Sequence, residues 1–448
     1  MSCDEKAVMH WQRSARWRVT VGVLTVLTLL PSSATPAVDN PAASLAVDSE
    51  ARRDYRPAET WTEDELREEM RALAWTKGDY RIVPYGILWG SAIYTTSRLA
   101  PGQFIVYVFS ETDEGESDFV LNVQRTRLGL NIEGPDIAAF HGASSAAQVE
   151  IDFHNARGSV DGSAVRGPTN QPGVQLRHAY AEIRDDDFRL LAGQTWDVVS
   201  PLLPGTLTYA VAWGGGNLGY RRPQIRYERY LRFHETSQIT LQAAIAQDIA
   251  LDLIDQSEST DQPEVQMRAA WTLGERGGER LPLTFGVSSH LGRQGWDFAE
   301  TATLPAVDDA RLRTWSLNAD LQFALTDNLG FQGEFFTGEN LSSHRGGVMQ
   351  GINPLTRRPI QASGGWAELW YDWTPRLQSR AGFGIDDPRD SHIAPGGRTQ
   401  NRFVFGNLRY LLAPQFAVGM EVSHWKTHYQ DKLPGDAMVL EFTGSYGF

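Results

Sequence analysis

Arginine recurs in this chain at alternating positions: Arg125 with Arg127, Arg222 with Arg226, and Arg177, Arg189 and Arg268 in similar polar–apolar runs. On an extended segment, residues two apart point to the same side. A guanidinium presents a planar fork of N–H donors that grips carboxylates bidentately. Several such forks along a water-filled path would select anions. A second set, of carboxylates, falls later in the chain: Asp320, Glu334, Glu368, Asp372, Glu421 and Glu441, with Asp197 in a loop. Lining one interior, the two sets would make a basic wall facing an acidic wall. The plainer use of the same arginines is pairing with nearby acidic residues.

Other chemistries find little support. Residues 214–219 read Gly-Gly-Gly-Asn-Leu-Gly, a literal G-x-G-x-x-G. A dinucleotide site needs a strand before it and a helix after it, but here Arg221-Arg222-Pro223 and a strand follow. No G-x-S-x-G or H-E-x-x-H is present, and the ten His are scattered, with only His424 and His428 on one strand. The single Cys, Cys3, excludes a disulfide framework and a Cys-ligated zinc. No catalytic residues, resident metal or cofactor are expected, and the chain reads as a non-enzyme. The acidic runs Glu111–Asp118 and Asp248–Glu264 match no calcium loop. They read as solvated outer charge, with bridging to lipopolysaccharide through divalent ions as the alternative.

Composition narrows the class. The 448 residues carry a formal charge of −14, which argues against a nucleic-acid partner. A mean hydropathy of −0.35 excludes a bundle of membrane helices. Basic residues are 37 Arg against 4 Lys, which reflects either genome composition or a site that reads anions.

The elements that would position these residues are strands. Thr314, Ser316, Asn318, Asp320 and Gln322 alternate with Trp315, Leu317, Ala319, Leu321 and Phe323, and other segments repeat that period of two. About sixteen such segments run from 81 to 448, each near the ten residues that a tilted membrane strand needs. Short connections such as Asp185-Asp186, Thr326-Asp327 and Ala413-Pro414 alternate with long ones such as Thr195–Gly219, Gly292–Arg311 and Thr337–Ser363. A soluble sandwich has no reason to gather its long loops at one end, whereas an outer-membrane barrel does. The expected fold is therefore all-β, a transmembrane antiparallel barrel of about sixteen strands. The long 134–145 turn and a surplus segment at Phe104–Phe109 fit that scheme poorly.

The flanks agree. Four basic residues, the apolar run Val19–Leu30 and small residues around Ala34 and Ala37 make 1–37 a signal peptide, cleaved after one of those alanines. Residues 38–80 read as a periplasmic extension, with a helix opened by the capping box Thr62…Glu65. The last segment alternates Met438, Leu440, Phe442, Gly444, Tyr446 and Phe448 on one face. An aromatic strand ending on Phe448 resembles the signal read by the barrel-assembly machinery of bacterial outer membranes.

Four stretches carry a more specific likeness: Asn122–Leu130 (NVQRTRLGL), Gln175–Tyr180 (QLRHAY), Leu190–Trp196 (LLAGQTW) and Arg222–Tyr227 (RPQIRY). Over residues 80–230 the chain resembles the DcaP-like trimeric porins, and beyond that only in pattern. The resemblance implies sixteen strands, a homotrimer among outer-membrane lipid and lipopolysaccharide, and passive diffusion of small anions such as dicarboxylates. The aromatic loop Thr195–Gly219 is expected to fold inward and narrow the pore, with Asp197 as its acidic contribution. Expected pore-lining residues are Arg125, Arg127, Arg177, Arg222, Arg226 and Arg268, with Asp197, Glu334, Glu368 and Glu421. Two rival readings are a sugar-selective porin using Trp366, Trp370 and Trp425 as stacking platforms, and a plugged structural or adhesive barrel.

Overall fold

A computed structural model describes residues 74–448, except 103, 114, 155–171, 235, 250–256, 259, 275–281 and 302. The expected signal peptide and the helix opened at Thr62 lie outside the described residues.

Sixteen strands form the wall. β1 is Tyr80–Thr95, and β2 is Asp118–Asn122 with Arg127–Glu133, both parts pairing with β1. Then come β3 Ser144–Asp152, β4 Gln175–Arg184, β5 Phe188–Trp196, β6 Arg221–His234, β7 Ser237–Ala246 and β8 Glu264–Leu273. β9 is Leu283–Phe298, β10 Val307–Ala324, β11 Leu329–Glu339 and β12 Gln361–Asp372. β13 is Leu377–Pro388, β14 Arg398–Ala413, β15 Phe416–Tyr429 and β16 Gly435–Gly447. Each strand pairs antiparallel with the next, and β16 pairs with β1 from Ile87↔Gly447 to Thr95↔Val439. Phe448 completes the seam through Gly86 N→Phe448 O (2.9 Å) and Phe448 N→Gly86 O (3.0 Å). A Cβ on Gly86 would lie 2.6 Å from the Phe448 ring, so glycine makes room for that ring. The closed sheet has no free edge.

The alternation places side chains as the hydropathy pattern predicts. Thr314, Ser316, Asn318 and Asp320 are buried inside, while Leu317 between them is exposed outside. Leu88, Leu121, Ile225, Leu241, Val287, Leu369, Val404 and Phe442 continue an exposed apolar belt. At the short-turn end Phe233, Trp271, Tyr371, Trp373, Tyr410, Phe416 and Tyr446 form an aromatic girdle. That banding suits a lipid surface bounded by interfaces. One strand breaks period: β4 is bulged against β3, with Glu150 opposite His178 and Ile151 opposite Leu176. The extra residue is Arg177, so both Arg177 and His178 are buried inward.

Two connections differ from the sequence expectation. The expected loop Gly292–Arg311 is mostly sheet, because β9 and β10 keep pairing out to Phe298↔Val307. The surplus segment is no barrel strand: Leu99–Pro101 and Ile105–Val108 form a small hairpin inside loop L1 (96–117). The 134–143 turn holds a single 3-10 turn, Ala138–Phe140.

The core sits inside the barrel. Leu99, Ile105 and Val108 of L1 pack with Ala212 of L3 (197–220) and with inward residues Ile93, Phe403, Phe405, Trp425, Ala437 and Val439. Loop L6 (340–360) adds Leu341, packed with Leu218, Phe336 and Ala362. Backbone in an apolar interior must find partners. L1 does so through Val108 N→Thr427 Oγ1 (2.9 Å), Tyr429 Oη→Val108 O (2.6 Å) and Asn401 Nδ2→Val106 O (2.8 Å).

Candidate pore interior

L3 runs round the inside of the wall, and its backbone is pinned strand by strand. Val198 N donates to Gln266 Oε1 of β8 and Leu202 N to Glu334 Oε1 of β11, both at 2.7 Å. Gly205 N donates to Glu368 Oε2 of β12 and Leu207 N to Glu421 Oε2 of β15, again at 2.7 Å. Arg125 Nη1 donates to Leu207 O, and Tyr209 Oη donates to Asp152 Oδ2 of β3 at 2.9 Å. The chain then turns back through Trp213 and the glycine run. Gly216 has φ +123°, and a Cβ there would lie 2.2 Å from Gly365 O, so L3 touches the wall backbone directly. The G-x-G-x-x-G match is thus a close-packing device.

The inward course of L3 is as expected, but the carboxylates have a different occupation from the one foreseen. Glu334 also accepts from Trp366 Nε1 at 3.2 Å, Glu368 from Arg380 Nη1 at 2.8 Å, and Glu421 from Asn407 Nδ2 at 2.9 Å. Each therefore holds the loop from the wall. Buried hydrogen bonds of this kind contribute roughly 1 kcal/mol apiece, and about 1.5–3 where the acceptor is ionised.

The arginines divide into two groups. Arg222 is fully buried, with Nε 2.6 Å from Asp197, Nη1 3.2 Å from Glu264 and 3.9 Å from Asp248, and Nη2 donating to Ser343 O at 3.2 Å. It ties L3, L4 (247–263) and L6 to the wall. Asp197 is likewise buried, ion-paired with Arg222 and accepting from Gln266 Nε2 (2.7 Å) and from Tyr220 N (2.8 Å). The expectation that this pair reads solute is corrected: both side chains are sealed under loops. Arg177 pairs with Glu150 and with Asp152 (2.9 Å), Arg226 with Glu228 (3.3 Å), and Arg268 bidentately with Asp320 (3.0 and 2.7 Å). Carboxylates are thus interleaved on the basic wall, a mixing that strand parity alone did not separate. Arg125 differs. Its guanidinium lies 4.2 Å over the Trp89 ring and bonds the Leu207 carbonyl, beside Arg127 at the break in β2.

Trp366, Trp370 and Trp425 do face inward but are covered, at 3%, 6% and 1% exposure. Trp425 stacks on Phe403 with ring centroids 4.2 Å apart and planes 9° off parallel. They are core residues, so the sugar platform is not where the sequence reading put it. The residues that reading missed are Arg221 and Arg345, whose guanidiniums lie 5.1 and 4.2 Å over the Tyr220 ring.

This architecture can be set beside solved structures. The outer membrane channel DcaP of Acinetobacter baumannii superposes with a TM-score of 0.63 at 17% identity, covering 83% of this chain and 99% of that one. The fold is that of the outer-membrane porins. OmpF of Salmonella typhi, solved with daunomycin, shares the porin fold at TM-score 0.54 and 11% identity, over 84% of this chain and all of that one. So does an anion-selective porin from Comamonas acidovorans, at 0.52 and 11%, over 82% of this chain and all of that one. No protein-family model matches the sequence, and no curated protein is similar to it. Porin architecture therefore rests on shape, since at these identities sequence adds little.

Proposed function

We propose that this chain is a diffusion porin of the bacterial outer membrane, assembled as a homotrimer, passing small hydrophilic solutes with a preference for small carboxylates. Its path runs past the inner rim of L3, along the β2–β6 side of the barrel. The observation that carries the reading is the asymmetric use of charge around L3. On the β11–β15 side, Glu334, Glu368 and Glu421 each give an oxygen to the loop backbone. On the β2 side, Arg125 meets the loop through a carbonyl and an aromatic ring. That guanidinium, though buried, bonds no carboxylate side chain among the described residues, with Glu441 and Glu421 acting on it only from further off, so it is the charge we assign to a passing carboxylate. The Comamonas porin is anion-selective, which makes anion preference the property to measure.

The test is purified protein in planar bilayers. Stepwise conductance with an anion-signed reversal potential in a salt gradient is expected, with block by succinate. Arg125→Gln combined with Arg127→Gln should move the reversal potential toward cations. Cation selectivity in the unmodified channel refutes the anion reading.

A second reading, a plugged barrel, is favoured by the apolar cluster that L1 and L3 build inside the lumen. Absence of conductance from correctly folded, inserted protein would decide for it.

A further inference from the structure

No sequence motif gives the histidines a role, and the fold brings two of them together with a glutamate. Glu264 of β8, His290 of β9 and His344 of L6 each offer a ligand atom, and these atoms lie within 4.8 Å of one another. All three side chains are buried, at 1%, 2% and 0% exposure. His344 Nε2 is 3.0 Å from Glu264 Oε1, and the two imidazoles stack 3.9 Å apart.

Two further observations point to a cation. The first is charge. Asp197, Asp248 and Glu264 converge on Arg222, the one Lys or Arg side chain within 4.0 Å of any of them among the described residues. With the carboxylates ionised and the imidazoles neutral, three carboxylates and one guanidinium carry two net negative charges, and buried charge is costly unless matched. One dication balances it. The second is the outer ring of partners. His290 contacts Ser316 Oγ at 2.6 Å and Thr314 Oγ1 at 2.9 Å, and His344 Nδ1 contacts Ser343 Oγ at 3.2 Å. His344 keeps a hydroxyl on Nδ1 while its Nε2 faces Glu264; both nitrogens of His290 meet hydroxyls, so a bound ion would take Nε2 from Thr314 and leave Ser316 on Nδ1, the usual arrangement around ligating histidines.

We propose that Glu264, His290 and His344 form a binding site for one transition-metal dication of the Zn2+ type, which fastens L6 to the barrel wall. Two imidazoles and a carboxylate suit Zn2+, with a fourth position left for water. Binding would splay the stacked rings, since ligand lone pairs lie in the ring planes. Because His344 O accepts from Gly219 N at 2.8 Å, fastening L6 also fastens the returning limb of L3. The ligands lie far apart in the sequence and meet only when L6 folds inward.

The experiment uses the full chain, purified in detergent and dialysed against chelator. Calorimetric titration with Zn2+ should show one saturable site per chain, and Co2+ should give the intense visible bands of a four-coordinate ion. His344→Gln and His290→Gln should each weaken Zn2+ at least tenfold, while exposed His141→Ala should leave it unchanged. Heat-dependent gel mobility checks that each variant is folded. Should both histidine variants fail to fold, Ser316→Ala tests the same site, with an expected loss of about 10–100-fold. No saturable binding, equal binding in folded variants, or a pale six-coordinate Co2+ spectrum would overturn the proposal. Balance of the cluster by protons would then be the explanation. Conductance plays no part in this test, so it stands or falls apart from the porin reading.

Discussion

Arg222→Ala separates a pore residue from a structural one. Read as a lumen arginine, Arg222 would contribute to selectivity, and its loss would shift the reversal potential. The structure points elsewhere. The side chain is fully buried, and its contacts are Asp197 at 2.6 Å, Glu264 at 3.2 Å, Asp248 at 3.9 Å and the Ser343 carbonyl at 3.2 Å. Removing it leaves three buried carboxylates without their guanidinium. Breaking a buried ion pair by deleting one partner costs about 3–5 kcal/mol, because the surviving charge keeps its desolvation penalty. At about 1.4 kcal/mol per factor of ten, that is two to four orders of magnitude in the folding equilibrium. Urea titration of the detergent-solubilised barrel, followed by tryptophan fluorescence, should show a clearly lower midpoint for Arg222→Ala. Bilayer measurements on the folded fraction should give an unchanged reversal potential. A shifted reversal potential with an unshifted urea midpoint would place Arg222 on the solute path and refute the argument.

Other perturbations probe the loop ring and the outer end of the barrel. Glu421→Leu strips acceptors from Leu207 N and Asn407 Nδ2, at roughly 1–3 kcal/mol for each donor stranded, and should appear as faster current noise; quiet records would speak against pinning. Gly216→Val puts a side chain 2.2 Å from Gly365 O at φ +123°, so L3 should become sensitive to added protease while the wall survives. His154, just past the end of β3, is held by burial, and by Arg125, Arg177 and Arg127, at about 3, below the usual imidazole value. Its folded value lies below its unfolded one, so the unfolded chain takes up the proton first. Stability should then fall as pH drops from about 6.5 toward 3, by up to about 1.4 kcal/mol per unit. Urea midpoints at pH 7.5 and pH 5 should differ less in His154→Phe than in the parent.

Which strands exist was legible because lipid on one side and polar groups on the other enforce a period of two. All sixteen expected segments are strands, and even the ambiguous parity near Arg177 has a local cause, the bulge in β4. What alternation does not report is what covers the inward face. Glu368 facing water and Glu368 holding Gly205 N look identical in sequence. The usable signal was the apolar content of loops. In L3, Leu202, Leu207 and Trp213 imply inward folding. The same argument applied to Leu99, Ile105 and Val108 of L1, and to Leu341 and Val348 of L6, would have foreseen the covered tryptophans. The Glu264–His290–His344 grouping had no sequence signature, because three separate elements supply it.

The seam between β1 and β16 sets the order of events in assembly. Its paired residues, such as Ile87 and Gly447, lie about 360 positions apart, so β1 waits for its second neighbour until the rest of the sheet is laid down. Until then the growing sheet shows two unsatisfied edges, each a template for pairing with another chain. Any truncation that removes β16 should therefore yield sticky intermediates rather than a smaller barrel, and escort of the unclosed chain to the membrane becomes a requirement of the topology itself.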